Sequence, residues 1–325
     1  MSKRRRPLAS LAAALGIVIG TGCTRHDAPE RLKPAAATPP ATNTPVAEPA
    51  PVAPSNPRAT AARGSSLTSS ALAHLPIGCA AALRIGWTEL SSNARGQRVL
   101  DSLFKQTGVL TGVSIEQVTT SIKALGIDPD RDLADVGLCA LTGITPRTSD
   151  SLVILGGTFP ERVLSAVPVG RSFQGTEIRG QTALRMGPRT WIVQAPDGAL
   201  LFGTARDVVE AGGWAPAHDY GLSRSVPVSI HVAKSGMSGL LAHVSPGVAL
   251  DSVEELAIRV DPSFEAFAAT AKCTNAEAAE KVATELRPLL GNAPTTSLKL
   301  RGNELAVHVP VDLRELEKSP QLAAR

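Results

Sequence analysis

The sequence predicts an α+β protein, with two related ferredoxin-like α/β sandwich halves (residues 67–222 and 223–325) behind a disordered Pro/Ala-rich tether. Three observations carry that prediction. Composition turns from proline-rich to globular near Leu67. Beyond it, short apolar runs with strand spacing alternate with single segments of helical spacing. Hairpin signals are interspersed, so antiparallel pairing is expected among the strands.

The elements follow in order. Cys79–Trp87 is an apolar, strand-like run. A helix is expected from a cap at Asn93, with Val99, Leu100, Leu103 and Phe104 on one face. A second opens at Ser114, where Ser114 and Gln117 form a capping box, and closes at Gly126. Its inner stripe is Ile115, Val118, Ile122 and Leu125. Asp135–Leu141 and Ser151–Thr158 read as strands, and Pro160–Val167 as a short helix. Strands around Thr176–Met186, Thr190–Gln194 and Ala199–Gly203 precede a helix at Ala205–Ala211. In the second half, Val228–Ala233 is a strand and Met237–Val244 a helix. Val253–Val260 and Phe264–Cys273 flank a turn at Asp261-Pro262. Asn275 caps a helix running to about Leu290, with Ala279, Val282, Leu286 and Leu290 facing inward. Ser297–Arg301 and Glu304–Val311 form a hairpin at Gly302-Asn303, a dipeptide suited to positive φ.

The N-terminus is read separately. Lys3, Arg4, Arg5 and Arg6 form a cationic head, and Leu8–Gly22 is a small or apolar run of 15 residues. A membrane-spanning helix needs ~20 apolar residues. A positive head, a short apolar middle and small residues before a cut describe a signal peptide covering residues 1–22. Gly20-Thr21-Gly22-Cys23 closes it, and this resembles the lipobox of bacterial lipoproteins, with the aliphatic Ile19 one place early. The resemblance implies lipidation of Cys23, a cell-envelope location and a membrane held through the N-terminal lipid. Thr24 and Arg25 behind the cysteine imply, by the same resemblance, transfer to the outer membrane. Several acyl chains together make a stable anchor, because each buried methylene contributes ~0.8 kcal/mol. Residues 27–63 then hold nine prolines and eleven alanines with no apolar periodicity, a composition that stays disordered. As a tether to Ser66 the stretch reaches ~130 Å at ~3.1 Å per residue.

The net charge of +4 does not indicate a nucleic-acid partner, because all four excess cations lie in the signal segment. Without them the basic and acidic residues are equal in number. Aromatic residues make up 3% of the chain, too few for stacked bases or sugars. Behind Cys23 stand Cys79, Cys139 and Cys273. A Cys79–Cys139 disulfide is favoured because each lies in a strand of the same half; three buried thiols are the alternative. The cysteines lack the Cys-x-x-Cys spacing of a thioredoxin or zinc site.

A weaker resemblance concerns the globular part. Leu75-Pro76, Gly126-Ile127-Asp128-Pro129, Gly156-Gly157-Thr158-Phe159 and Leu201-Phe202-Gly203-Thr204 recur in an order similar to uncharacterised envelope lipoproteins of high-GC, myxobacterium-like bacteria. The likeness covers about residues 75–215 and implies architecture rather than chemistry.

Two constellations suggest chemistry. Asp128, Asp130 and Asp132 alternate as in a calcium loop, but Leu133 stands where the loop needs glycine and Cys139 where it needs glutamate. A local turn explains them better. Ser102-Leu103-Phe104-Lys105, with a strand-borne Lys234-Ser235-Gly236, resembles penicillin-interacting serine enzymes, in which Lys105 would deprotonate Ser102. The Ser-x-Asn element is missing between them, and one Ser-x-x-Lys arises by chance in a chain this rich in serine. The six histidines show no metal-ligand spacing. The expectation is therefore a non-enzymatic envelope lipoprotein without cofactor, a tethered binding or structural module for an unknown protein or small molecule. A periplasmic serine hydrolase using Ser102 and Lys105 is the alternative, and a carrier with an apolar cavity between the halves is a third reading.

Overall fold

The computed structural model describes residues 66–92, 94–98, 120, 122–141, 150–167, 173–188, 190–241, 250–290 and 296–310. Local patterning set many of the element bounds. Val228–Ala233 (β9), Val253–Val260 (β10) and Ser297–Arg301 (β12) occupy the expected residues. Glu304–Pro310 (β13) follows the Gly302-Asn303 turn, where Gly302 has φ +60. The remaining strands are Ser66–Thr68 (β1), Ala81–Gly86 (β2), Leu133–Ala140 (β3), Ser151–Pro160 (β4), Gln174–Ile178 (β5), Gln181–Met186 (β6), Thr190–Gln194 (β7), Leu200–Gly203 (β8) and Ala266–Cys273 (β11). Helices occupy Trp87–Ser91, Pro129–Asp132, Arg206–Trp214, Lys234–Leu241 and Ala276–Leu290. Asn275 caps the last of these by accepting from the Ala278 amide at 2.8 Å. At Gly126, φ is +79, and the Ile127 amide closes the helix end on the Ile122 carbonyl at 3.0 Å. The expected cap at Asn93, the stripe from Val99 to Val118 and the Ser114–Gln117 capping box lie outside the described residues.

The assembly of these elements corrects the expected fold class. The strands do not form two ferredoxin-like sandwiches. They form one antiparallel sheet of 13 strands in the order β12-β13-β11-β10-β9-β2-β3-β4-β8-β7-β6-β5, with β1 laid on β4. The seam is the pairing of β2 with β9, which runs from Ala81↔Val232 to Ile85↔Val228. A ferredoxin-like unit ends at its own sheet edges. Here the strand that would have been an edge of each half is consumed by the other half, and two open edges vanish.

Register then dictates the core. Residues directly opposite one another share a face. One cross-strand row reads Leu298, Val307, Ala269, Ile258, Ile230, Leu83, Leu138, Val153, Phe202, Ile192 and Leu184, apolar throughout. This first face is covered by Ala279, Val282 and Leu290 of the Ala276–Leu290 helix and by Trp87, Leu90, Ile122 and Met237. The second face is treated differently along its length. From β2 towards β7 it carries Ala82, Cys139, Leu152, Ile154, Leu201 and Val193 under the Ala71–His74 turn and the Arg206–Trp214 helix. From β10 to β12 it faces solvent.

Because both halves share this sheet, they should unfold together. Tryptophan fluorescence reports only β2-to-helix and β7-to-helix regions, through Trp87, Trp191 and Trp214, whereas far-ultraviolet circular dichroism reports all strands. The two urea transitions are expected to coincide, and Ile230→Ala at the seam should shift both by roughly 2–4 kcal/mol. Separate midpoints for the two signals would contradict a single sheet.

Candidate functional site

The covered part of the second face carries the polar groups of the fold. Alternation along β2 turns Leu83 and Ile85 into the first face and Arg84 into the second. Arg84 and Asp135 are each only 5% exposed. The Arg84 Nη1 donates to the Val226 carbonyl at 2.8 Å, and Nη2 reaches Glu89 Oε1 at 3.4 Å. Its Nε lies 3.6 Å from Asp135 Oδ2 and donates no hydrogen bond. Asp135 is held on its other side by the Ala71 amide at 2.9 Å and the Ser70 hydroxyl at 3.2 Å. Gly156 makes room for this crossing, since a Cβ there would meet Asp135 Oδ1 at 2.1 Å and the Ala71 nitrogen at 2.4 Å. The Gly156-Gly157 motif is thus a packing requirement: the next glycine's Cβ would meet the Asp132 carbonyl at 2.1 Å.

Between the Arg206–Trp214 helix and β9, residues 215–227 cross this face as a strap. The His218 amide donates to the Leu75 carbonyl at 2.9 Å. The Tyr220 hydroxyl donates to the Pro76 carbonyl at 2.7 Å and accepts from the Cys79 amide at 2.8 Å. Burial raises its pKa above the usual tyrosine range. Its ring sits between His218, edge-on at 4.6 Å, and His231 at 5.5 Å. Burial holds His231 below the ordinary histidine value, against the pull of Glu255. Beside the strap, Cys79 and Cys139 are joined as a disulfide with Cα atoms 5.4 Å apart. Cys273 is a buried free thiol, raised by its burial.

Strap and N-terminal segment part around two hollows that open to solvent. One, of about 420 Å³, has Leu72, Leu75, Leu222 and Tyr220 in its lining. The other, of about 530 Å³, has Ser70, Arg84, Glu89 and Asp135. Arg224 lines both and joins them into one groove, whose first end mixes these apolar residues with His218 and Asp219 and whose second end is mainly polar. This is an open surface groove rather than an enclosed apolar carrier cavity.

The other residues expected to carry chemistry do not converge here. Cys23, Ser102 and Lys105 lie outside the described residues. Lys234-Ser235-Gly236 opens the Lys234–Leu241 helix instead of lying on a strand. Gly236 is explained by contact, because a Cβ would meet the Ala80 carbonyl at 2.3 Å. The acidic turn is self-contained: Asp128 accepts from the Asp130 amide at 3.2 Å, Asp132 accepts from the Asp128 amide at 3.0 Å, and Arg131 pairs with Asp132. That hydrogen bond and charge hold the Asp132 carboxyl below the usual range. Among the described residues no cluster of three His, Cys, Asp or Glu side chains is arranged for a metal. No described helix is long and apolar enough to cross a membrane.

His74 is buried. It sits in a 3₁₀ turn between two acceptors, with Nδ1 2.9 Å from the Gly212 carbonyl and Nε2 2.9 Å from Asp197 Oδ2. It thereby ties the N-terminal segment to the Arg206–Trp214 helix and the β7–β8 turn. Arg84, Tyr220 and His74 gave little sign of themselves beforehand. The only signals were a lone cation inside an apolar run and the chain's single tyrosine.

With this geometry in view, comparison with known proteins is informative about architecture. No protein-family model and no curated protein matches the chain. Among solved structures, crystal form I of TP0453 superimposes with a TM-score of 0.50 at 11% identity, covering 77% of this chain and 95% of that one. Crystal forms III and IV give TM-scores of 0.47 and 0.46, each at 9% identity. The likeness is one of fold. TP0453 and this chain share a way of building a sheet, and at that identity nothing about residues transfers.

The strap makes two measurable demands. Tyr220→Phe removes the partner of the Cys79 amide and the Pro76 carbonyl, and should cost roughly 1–3 kcal/mol in urea unfolding. A loss below a few tenths would show that the strap is not held there. For His231 the folded pKa lies below 6.5, so the unfolded chain takes up a proton first. Stability is fully present above pH 6.5 and declines as pH falls below it. Melting temperatures measured between pH 7.5 and 5.5 should fall less steeply in His231→Gln, and parallel curves would exclude this origin.

Proposed function

We propose that this chain is a non-enzymatic, lipid-anchored module of the cell envelope that binds a partner in the groove beneath its strap. The observation that carries the binding reading is the groove floor. Arg84 is buried there with an Nε–H that meets no acceptor at hydrogen-bond distance, and such a group is costly to leave unmatched. Around it stand the Arg224 guanidinium, the Glu89 and Asp135 carboxylates and the hydroxyls of Ser69, Ser70, Thr88 and Ser92, and the groove continues to Leu72 and Leu222 beside His218 and Asp219. Two guanidiniums and three carboxylates are interspersed along the lining, so a bare anion or cation meets charges of both signs. A ligand bearing both amide-like donors and acceptors and an apolar end matches this lining, and concave sites with a few convergent polar groups are the usual binding places.

The anchoring half of the reading rests on sequence: a cationic head, an apolar run too short to span a bilayer, and Cys23 behind three small residues. The Pro/Ala-rich stretch leads to β1, which pairs with β4 from Ser66↔Pro160 to Thr68↔Thr158. A tether joined there delivers its load to a strand of the sheet, next to the wall of the groove formed by Ser69 and Ser70.

Intact-mass analysis of protein purified from its native membrane should find a chain beginning at an acylated Cys23, and Cys23→Ser should leave the chain unacylated and released by washing. Retention of residues 1–22, or an unmodified Cys23, overturns the anchor. For the groove, a photo-crosslinking residue at Arg224 should give an adduct in intact cells. The same residue at Lys281, on the helix covering the opposite face, should not. Equal labelling at both positions, or none at Arg224, overturns the groove as the binding place.

A further inference from the structure

Over β11, β13, β12 and the Glu255 end of β10 no described residue covers the second face of the sheet; the strap reaches it only at Arg259, whose Nη2 donates to the Gly221 carbonyl at 3.3 Å. The charges of this face are arranged in an order that register makes explicit. Glu255 lies opposite Lys272, Lys272 opposite Glu304, and Glu304 opposite Arg301. All four are exposed, and among the described residues none of them forms an ion pair within the chain. Read across the strands, the row alternates in sign: minus, plus, minus, plus. The next row is Ala257, Thr270, Ala306 and Lys299, and the one beyond is Arg259, Ala268, His308 and Ser297. Alanine is disfavoured in strands, and an exposed alanine gains no burial to offset that. Here three of them, with Thr270, keep the middle of the face low enough for another surface to approach.

An alternating row of four charges is complementary to itself. Rotation by 180° about an axis parallel to the strands, midway between β11 and β13, brings β10 over β12 and β11 over β13. Glu255 then meets Arg301 of a second copy, and Lys272 meets its Glu304, so that every charge in the row finds an opposite and each pair forms twice. An axis along β11 instead would stack Lys272 on Lys272 and Glu255 on Glu304. An axis across the strands would bring the two strap-covered halves together and hold the sheets apart. Only the first rotation satisfies charge and shape together, with each copy's covered half projecting past the other's β12 edge.

We propose that this face docks a second copy of the same chain, sheet on sheet, about that two-fold axis. The footprint is four strands at ~4.8 Å by about six residues at ~3.4 Å. That is smaller than the ~800 Å² per partner of a standard interface, and it makes the dimer weak and reversible. Its charge row makes it salt-sensitive, because exposed pairs are screened at high ionic strength. The proposal does not depend on the groove or on the lipid.

The test uses the full-length chain carrying Cys23→Ser, followed by sedimentation velocity over a concentration series at low salt. A monomer–dimer equilibrium that weakens in 0.5 M salt is expected. Glu255→Lys places like charges against Arg301 in both symmetric contacts, and Arg301→Glu does so against Glu255. Each should weaken self-association by at least about tenfold. An equimolar mixture of the two variants is expected to recover it, because Lys at position 255 then meets Glu at 301 and the native pair forms on the other side. Circular dichroism melts of each variant close to wild type show that folding is intact. A chain that stays monomeric throughout the series overturns the proposal, as does a dimer indifferent to both charge reversals. Single variants that dissociate but fail to associate when mixed overturn the axis and with it the proposal.

Discussion

The antiparallel pairing of β2 with β9 is the constraint on which the remaining structure depends. Its five rungs, Ala81↔Val232 to Ile85↔Val228, join strands about 145 residues apart in sequence. On one face they bring Leu83 against Ile230, which makes the apolar row continuous and lets one core serve both ends of the chain. On the other they bring Arg84 against Ser229. They also fix the strap, because the chain leaving the Arg206–Trp214 helix must cross the second face to enter β9. The Gly86 amide donates to the Pro227 carbonyl at 2.8 Å, and Arg84 holds the Val226 carbonyl one residue earlier. The groove is therefore a by-product of the seam: it is the space left between the strap reaching β9 and the N-terminal segment leading to β2.

That origin explains why charge is buried there. A crossing segment brings backbone carbonyls over the sheet, and these need donors. Arg84 supplies donors to the strap from below, while Asp135 supplies an acceptor to the Ala71 amide of the opposing segment. A buried ion pair is weak evidence for stability, since desolvation offsets most of its Coulomb attraction. Its value here lies in specifying which two segments cross and where. The exposed end of the same face needs no such device: among the described residues no segment crosses it beyond the strap's contact with Arg259.

Much of the local structure was legible in the sequence, because its causes are local. Alternation and a Gly-Asn turn delimit β12 and β13, and apolar residues at every second position, Val228, Ile230 and Val232 and then Leu256, Ile258 and Val260, mark β9 and β10. Trp87 was assigned to a strand and instead begins a helix, since a single aromatic at the end of an apolar run fits either period. Lys234-Ser235-Gly236 was read as strand-borne for a similar reason. The architecture was not legible, because alternation says that a strand has two faces and not which strand lies beside it. Two halves that each begin with strand, helix and antiparallel hairpin suggest two sheets as readily as one. The polar contacts escaped for the same reason. His74 finds its acceptors 123 and 138 residues away, and Tyr220 finds its own more than 140 residues back. No spacing rule encodes such distances.

These long-range contacts concentrate on one short stretch, residues 66–80, where the chain enters the fold. Within it, β1 pairs with β4, Ala71 is held by Asp135, His74 by Asp197 and Gly212, Pro76 by Tyr220, and Cys79 by Cys139. Entry segments usually fray, because they have neighbours on one side only. Here the links fasten the stretch to β3, β4, the β7–β8 turn, the Arg206–Trp214 helix and the strap, and the disulfide closes the β2-to-β3 excursion at its base with a sequence separation of 60. In the chain-entropy picture a loop of that length removes about 4 kcal/mol of freedom from the unfolded state. In the tethered arrangement proposed above, load would enter the domain through this stretch, so any opening there would begin with these residues. Shared among several contacts, such a load would not rest on one hydrogen bond, and the groove wall formed by Ser69 and Ser70 would keep its shape.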